Sequence, residues 1–214
     1  GWNDEIGSRG RFIKGIFQYE TALYLSAVDD LLVARRTGDD QFIGINAGQT
    51  ELKGIEIGLS YFLLRSDGIS ISHANALSVN AHEFKDFEDL DEDYSGNDLT
   101  GVPSHTFNSQ LFIDSRIGFY GYINYYGVGK IPVTDDNSVY SDSYQVVNVK
   151  LGYRKSLGSN WQLDLYGGIN NLFDEKYASM LQINAGSFGG NAPRYYYPGE
   201  PINFYSGLRL GYTF

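Results

Sequence analysis

The last residues of the chain, Asn203 to Phe214, read NFYSGLRLGYTF. Successive side chains of an extended strand point to opposite faces, so this stretch has one largely apolar face and one polar face. A strand that is apolar toward lipid and polar toward a lumen is typical of an outer-membrane β-barrel, and a soluble sheet edge stays open as the alternative. The apolar face holds Phe204, Ser206, Leu208, Leu210, Tyr212 and Phe214.

The composition favours a sheet with one wet face and one apolar face. The chain has 214 residues, which suits one all-β domain or barrel, with 18 Tyr, 13 Phe and 26 Gly. Its 26 acidic and 16 basic side chains give a net charge of −10, which argues against nucleic acid as a partner. The absence of cysteine excludes a disulfide scaffold and thiolate metal sites. A soluble, Tyr-rich, carbohydrate-binding β-sandwich would have a similar composition.

No stretch approaches the roughly 18 consecutive apolar residues of a membrane-spanning helix, which excludes an α-helical membrane protein. The first residues, Gly1 to Glu5, lack the basic start and apolar core of a signal peptide. An outer-membrane protein is exported with such a signal, so we expect a mature, truncated or fragmentary chain.

Alternating hydrophobicity predicts about nine strands in an up-and-down, antiparallel meander. Short turns near residues 14, 67, 116 and 158 alternate with longer connections near residues 38, 92, 137 and 186. Outer-membrane barrels show this rhythm, with short turns on the periplasmic side and long loops outside. The predicted strands are Asp4 to Phe12, Ile16 to Arg35, Phe42 to Arg65, Ile69 to Phe84, His105 to Asp114, Phe119 to Lys130, Tyr144 to Arg154, Trp161 to Ile169, and the final stretch.

Four motifs, in order along nearly the whole chain, resemble those of TonB-dependent outer-membrane receptors. The run from Gly168 to Tyr177, GINNLFDEKY, is similar to a signature near the end of that family. The segments from Asn46 to Glu56, from Val102 to His105, and from Pro198 to Phe204 resemble three further family patterns. The residues that match the family motifs are Gly54, Glu56, Pro103, Asn171, Leu172, Phe173, Asp174 and Tyr177.

The resemblance implies that residues 1–214 are the C-terminal portion of a receptor β-barrel domain, from a barrel of about 22 strands. It implies an integral protein of the outer membrane of a Gram-negative bacterium, in contact with membrane lipid. The intact receptor would import a scarce small ligand, most often a ferric siderophore, with energy supplied through the TonB complex. The plug domain and TonB box are absent from these residues, so the fragment alone is not expected to transport.

The resemblance also assigns parts of the chain to partners and roles. The final strand, with Leu208, Leu210, Tyr212 and Phe214, is expected to engage the barrel-assembly machinery. We expect no cofactor and no enzymatic activity. Asn171 and its neighbours Asn170 and Asp174 are expected to satisfy backbone groups where the penultimate strand leaves its ladder, because Asn and Asp side chains bond locally to the backbone.

The best candidates for ligand binding lie in the long loop from Asn171 to Pro201 and near the acidic segment 85–101. Arg194, Tyr195, Tyr196 and Tyr197 combine a cation with rigid aromatic contact area, which suits anionic or aromatic ligands. An aromatic girdle at the lipid headgroups would explain the tyrosines equally well. His82 lies beside the acidic segment and is the histidine best placed to contact a ligand.

A metal site and an enzyme active site have little support in the sequence. Asp89, Asp91 and Asp93 have the spacing of a calcium loop, but Tyr94 and Thr100 occupy the positions that need Gly and Glu. A weak surface cation in this acidic segment stays open. The chain has no G-x-S-x-G elbow and no histidine pair at metal-ligand spacing.

Two other functions stay open beside the receptor. One is a small self-contained barrel that acts as a pore or structural protein, and the other is the soluble carbohydrate-binding sandwich. In the receptor interpretation, polar rows of the strands face the lumen and the plug. Those rows contain Gln18, Glu20, Gln162, Asp164 and Arg209.

Overall fold

The computed structural model describes residues 1–30, 32–38, 41–46, 48–89, 92–187 and 189–214. Nine long strands form one sheet in which each strand pairs antiparallel with the next, so the predicted nine-stranded all-β meander is confirmed. Their bounds are β1 Trp2–Phe12, β2 Phe17–Asp29, β3 Gln49–Arg65, β4 Ile69–Asp86, β5 His105–Ser115, β6 Phe119–Val128, β7 Tyr144–Leu157, β8 Trp161–Asn170 and β9 Asn203–Tyr212.

The register of the sheet separates apolar and polar side chains onto opposite faces. Leu165 lies opposite Leu208 on one face, and Asp164 lies opposite Arg209 on the other. We call these the apolar face and the polar face. The predicted polar row shares one face throughout: Gln18 and Glu20 on β2 lie opposite Arg11 and Arg9 on β1, and Gln162 and Asp164 on β8 lie opposite Gly211 and Arg209 on β9.

The apolar face is open over most of the sheet. Phe204 is 72% exposed and Leu208 is 66% exposed, as are many aliphatic side chains of the other strands. Besides the main sheet, the described residues form only two-stranded hairpins, and none of these pairs of strands is a second sheet that could cover a sandwich face. A broad exposed apolar surface of this kind marks contact with a membrane or another apolar partner.

Two predicted strands were too long. The segment expected from Ile16 to Arg35 divides into β2 and a separate strand Leu32–Gly38, and the segment from Phe42 to Arg65 divides into Gln41–Asn46 and β3. The strands Leu32–Gly38 and Gln41–Asn46 pair with each other in their own hairpin. Asp30 and Gly48 at the two breaks adopt positive φ values of 57° and 61°. Both are residue types that favour turns, and the prediction of continuous strands passed over them.

The ends of the other seven strands also differ from the prediction, by one to three residues. The polar segment β1 is paired with β2 along its full length, from Trp2 to Phe12. β4 continues to Asp86, into the predicted acidic loop. β9 ends at Tyr212. Phe214 beyond it is exposed to solvent, and its ring lies edge-on to the Tyr212 ring with centroids 5.0 Å apart.

Glycine and tyrosine are paired across strands on the polar face. A Cβ atom on Gly207 would collide with the ring of Tyr166 from the neighbouring strand, and one on Gly54 would collide with Tyr24. Glycine leaves room for a large side chain to lie across the adjacent strand. This arrangement accounts for part of the high tyrosine and glycine content. Gly152 with Tyr120 and Gly168 with Tyr205 repeat it.

The two edges of the sheet differ in their connections. At the turn edge, β1–β2, β3–β4, β5–β6 and β7–β8 are joined by short turns. At the loop edge the connections are long and contain four small hairpins. The only cluster of fully buried apolar side chains among the described residues lies there, where Phe84 and Phe87 pack with Tyr94 and Leu99.

Candidate functional site

Asn171 closes the end of β8 and is 2% exposed. Its side-chain amide donates to the carbonyl oxygens of Glu175 and Glu200, each at 2.9 Å, and its Oδ1 accepts from the Glu175 N–H at 2.8 Å. Its own N–H donates to Oδ1 of Asn148 on β7. These bonds satisfy backbone groups that have left the strand ladder, which supports a structural role for this motif.

The rest of the motif holds the loop between β8 and β9 against the sheet. Oδ1 of Asp174 accepts from the Ile202 N–H at 2.9 Å, and the Leu172 N–H donates to the carbonyl of Val147. The ring of Tyr177 stacks on Tyr144 with centroids 4.9 Å apart. Phe173 is 73% exposed. The motif therefore sets the direction in which the chain leaves β8 and enters β9.

Three long connections at the loop edge are joined into one unit, which we call the loop layer. Its described residues are 87–89, 92–104, 129–143, 171–187 and 189–202. Its centre is Asp135. The Asp135 carboxylate accepts hydrogen bonds from Thr100 Oγ1 and, at 2.9 Å, from Asn184 Nδ2. Its backbone carbonyl accepts from Asn97 Nδ2 at 2.8 Å, and its N–H donates to Asn184 Oδ1. One residue thus bonds to side chains from both of the other connections.

The surroundings of Asp135 set its ionisation. Burial raises the pKa of the Asp135 carboxyl, and the charge of the neighbouring Asp136 adds to the rise, while hydrogen bonds from Thr100 and Asn184 oppose it. The neighbouring Asp136 is more exposed, and the hydrogen bond from Thr134 lowers its pKa. The pKa values of these two adjacent carboxyls are therefore shifted in opposite directions from the ordinary value of aspartate.

Tyr140 connects the predicted ligand residues of the last loop to the middle of the loop layer. Its hydroxyl donates to Oδ2 of Asp98 at 3.0 Å, and burial raises its pKa, with a further contribution from Asp98. The Tyr196 hydroxyl in turn donates to the Tyr140 carbonyl at 3.4 Å. Tyr196 thereby contacts the backbone of Tyr140, which lines a small pocket.

That pocket, of about 90 Å³, lies between the loop layer and the polar face. His82, Asp98 and Tyr140 line it. Beneath them, the Tyr24 hydroxyl donates to Oδ1 of Asn80 at 2.9 Å and lies 2.9 Å from Nε2 of His82. The remaining lining residues are Asn80, Leu99, Val102, Pro103, Ser104, Lys130 and Pro132.

The structure brings some of the predicted ligand residues together and separates others. His82 lines the pocket, and Tyr196 reaches it through Tyr140. Tyr195 packs edge-on against Tyr196 at 6.1 Å, whereas Arg194 and Tyr197 are exposed at the surface of the loop layer.

Several pocket residues have no recognisable signal in the sequence. Asp98 comes from one connection, Lys130 and Tyr140 come from another, and Tyr24, beneath the pocket, comes from β2. Only the folded register brings them together. Two motif residues do contribute: the Pro103 carbonyl accepts from Asn80 Nδ2 at 2.9 Å, and Gly54 leaves room for Tyr24. Glu56 follows on the polar face, opposite Ala22.

The described residues hold no group of three or more His, Cys, Asp or Glu side chains that could bind a metal ion. Asp91 of the acidic segment lies outside the described residues. Asp93 accepts a hydrogen bond from the Ser95 N–H at 2.9 Å, and the Ser95 bonds lower its pKa. In the part of the chain that is described, no helix is long and apolar enough to cross a membrane.

Comparison with solved structures shows a shared fold. The siderophore receptor PiuA from Acinetobacter baumannii is 18% identical with a TM-score of 0.70, and the match covers 99% of this chain and 28% of that one. The ferric yersiniabactin uptake receptor FyuA from Yersinia pestis is 20% identical with a TM-score of 0.68, covering 99% and 30%. The copper transporter OprC is 16% identical with a TM-score of 0.72, covering 99% and 31%. The chain thus spans less than a third of the length of these proteins.

The family comparison covers most of the sequence. The model described as "TonB dependent receptor-like, beta-barrel" matches residues 1–172. Members of this family are outer-membrane transporters, and the nine-stranded meander with its open apolar face has the architecture that their barrels require. The chain belongs to the TonB-dependent receptor family, as part of its β-barrel domain.

Proposed function

We propose that residues 1–214 are the C-terminal portion of the barrel of a receptor that imports a ferric siderophore across the outer membrane with energy from the TonB complex. The observation that carries this proposal is the pocket beneath the loop layer. It combines His82 on the polar face, the side that would face the lumen, with Lys130 and the Tyr140 hydroxyl of the loop layer. The names of the siderophore receptors PiuA and FyuA support the same ligand class.

The size of the pocket defines what it would hold. A volume of about 90 Å³ accommodates one protruding group of a ligand and not a whole siderophore. The larger part of the ligand would lie against the exposed side chains of Arg194 and Tyr197 and against the plug of the intact receptor. Lys130 suits an anionic group, such as a catecholate or carboxylate oxygen. His82 Nε2–H is taken up by the Tyr24 oxygen, so Nδ1 of His82 is left to accept a hydrogen bond from the ligand.

A free metal ion is the second candidate cargo, because one protein of the same fold is a copper transporter. Binding a bare transition metal requires several His, Cys, Asp or Glu ligands at one point. The described residues contain no such group. A chelated metal, recognised through its organic shell, is therefore the better candidate.

The test measures binding and uptake by the intact receptor that contains this barrel. Cells that express it are supplied with radioactive iron complexed by catecholate, hydroxamate or carboxylate siderophores, with and without a functional TonB complex. We expect TonB-dependent uptake of one class, and about tenfold weaker binding of that complex by His82→Ala, the effect of losing one hydrogen bond of about 1.4 kcal/mol.

His73→Ala is the matched control. His73 lies on the same strand as His82, opposite Leu111 on the apolar face. It bonds to Tyr61 and Ser109, which do not line the pocket, so its loss should leave affinity unchanged. If no siderophore class is imported in a TonB-dependent way, the proposed cargo is wrong. If the two histidine variants weaken binding equally, the pocket is not the site of contact.

A further inference from the structure

The apolar face contains an open groove of about 1010 Å³ that crosses the last strands of the sheet. Its floor is made by residues with little or no side chain, Gly121, Gly167 and Ser206, and its walls include Leu151 and Leu208. The register places all of these on the apolar face: Gly121 and Gly167 both lie opposite Leu151, and Gly167 lies opposite Ser206. Small residues between leucines therefore leave a channel wide enough for a hydrocarbon chain.

The groove opens toward the turn edge of the sheet. Two residues line it there: Ser115, the last residue of β5, and Ile117, in the turn between β5 and β6. Phe119 and Tyr153 form the adjacent wall, with ring centroids 4.8 Å apart. Aromatic side chains at this level are typical of the boundary between lipid tails and headgroups. The mouth of the groove thus lies where lipid headgroups would begin.

Two cations flank this mouth. Arg116 lies between Ser115 and Ile117 and is exposed. Lys155 lies on the apolar face opposite Leu163, two residues beyond Tyr153 toward the turn edge, a distance of about 7 Å along the strand. Among the described residues neither cation has a carboxylate partner within 4.0 Å. Both charges are available to an anion from outside the protein.

The loop edge of the same face provides a contrast. Lys53 on β3 and Lys85 on β4 also lie on the apolar face, but their charges are neutralised by Glu51 and Glu83. Lys53 Nζ lies 2.8 Å from Glu51 and 3.2 Å from Glu83, and Lys85 contacts the same two carboxylates. Uncompensated positive charge next to an apolar groove is therefore a property of the turn edge in this part of the sheet.

We propose that this groove binds an anionic phospholipid from the leaflet at the turn edge of the barrel. One acyl chain lies over Gly121, Gly167 and Ser206, and the phosphate lies between Arg116 and Lys155. The chemistry of the site matches both halves of such a lipid, since hydrocarbon fills an apolar groove and a phosphate pairs with Arg and Lys. The inference rests on the membrane placement of the family and is independent of the cargo.

The test is native mass spectrometry of the intact receptor, released from mixed micelles with phosphatidylglycerol and phosphatidylcholine at equal concentration. We expect one phosphatidylglycerol to be retained in preference to phosphatidylcholine. The double variant Arg116→Gln/Lys155→Gln should reduce retention of phosphatidylglycerol at least tenfold. The control Lys14→Gln/Arg65→Gln removes two cations from the same edge outside the groove and should retain the lipid.

A second variant tests the groove separately from the charges. Ser206→Leu places an apolar side chain on the floor of the groove, where the exposed position tolerates it in a membrane, and it should displace the acyl chain and reduce retention. Equal retention of the two lipids would indicate ordinary annular lipid and overturn the proposal. Unchanged retention in the double variant, or a second receptor copy in place of lipid, would overturn it as well.

Discussion

The nine-stranded sheet β1–β9, which we call the wall, and the loop layer are stabilised by different kinds of interaction. In the wall, each strand pairs with its neighbour in chain order, through a regular backbone ladder. In the loop layer, side chains of Asn and Asp take the place of the ladder, as at Asn171 and Asp135. The wall can therefore absorb many surface substitutions, whereas the loop layer depends on a few polar side chains.

The difference follows from how each region satisfies its backbone. Neighbouring strands form backbone hydrogen bonds along their whole length. Most side chains of the wall are therefore not needed to satisfy the backbone and can suit contact with lipid or with the lumen. A long connection leaves the ladder, and its buried N–H and C=O groups need other partners. Asparagine offers two donors and an acceptor in one side chain, which lets Asn171 bond to two distant carbonyls at once.

The largest effect is expected from Asn171→Ala. This change removes three side-chain hydrogen bonds, and each backbone group left buried and unpaired costs about 1–3 kcal/mol. The backbone φ of 50° at this position disfavours alanine further. We expect the free energy of unfolding of the intact receptor to fall by about 3–5 kcal/mol, measured by urea unfolding in detergent.

Asn170→Ala is the control for this prediction. The Asn170 side chain makes one hydrogen bond, to Oδ1 of Asn203 at 3.0 Å, and it belongs to the wall. Its loss should lower stability by about 1 kcal/mol or less. Equal costs for the two asparagines would mean that the loop layer is no more dependent on side-chain bonds than the wall.

A smaller effect is expected inside the wall, from Gly207→Ala. The new methyl group would collide with the Tyr166 ring, and overpacking of this kind typically costs about 1–3 kcal/mol. On the same face of the same strand, Gly211 has no atom closer than 3.9 Å to an added Cβ. Gly211→Ala should thus change the urea midpoint little, and a similar shift for both would show that β9 disfavours alanine for reasons other than tyrosine packing.

The smallest effect is a pH dependence of the loop layer that depends on Asp135. Because its pKa is raised in the folded protein, the folded state binds the proton more tightly than the unfolded state does. The loop layer should then gain stability as pH falls from the raised value toward the ordinary value of about 3.9, and lose it as pH rises through that window. Amide hydrogen exchange of residues 97–101 and 133–139, corrected for intrinsic rates, would measure this gain.

Asp135→Asn should abolish the gain while keeping a side chain of the same shape. Asp136 acts in the opposite direction, because its pKa is lowered, but its window lies below about 3.9 and does not overlap. Exchange rates in the wall, for example in β8, should not follow the same profile. A pH response that persists in Asp135→Asn would assign it to another group.

The sequence predicts the wall well and the loop layer poorly. Alternation along β9 and the neighbouring strands is a local signal with a period of two, and it identifies the faces and the number of strands. The prediction overextends β2 because a second extended segment, the hairpin strand Leu32–Gly38, follows it after a short break. It also misses the full length of β1, whose strand character comes from pairing with β2.

Contacts in the loop layer join residues far apart in the chain, so no local pattern reveals them. Asp135 and Asn184 are separated by 49 positions, and Asp98 and Tyr140 by 42. Among the pocket residues, only His82 was a sequence candidate for ligand binding, and Pro103 was a motif residue. Tyr24, the partner of His82, lies 58 positions away and becomes a neighbour through the register of β2, β3 and β4.

The pairing of tyrosine with glycine has an evolutionary consequence. Where Tyr166 lies across Gly207, neither position can vary alone: a larger residue at 207 needs a smaller one at 166, and a lost ring leaves a gap over the glycine. Within related barrels these two positions should therefore change together, as should Tyr24 with Gly54 and Tyr120 with Gly152. Gly211 has no ring over it, so the residue at this position should vary independently of any tyrosine.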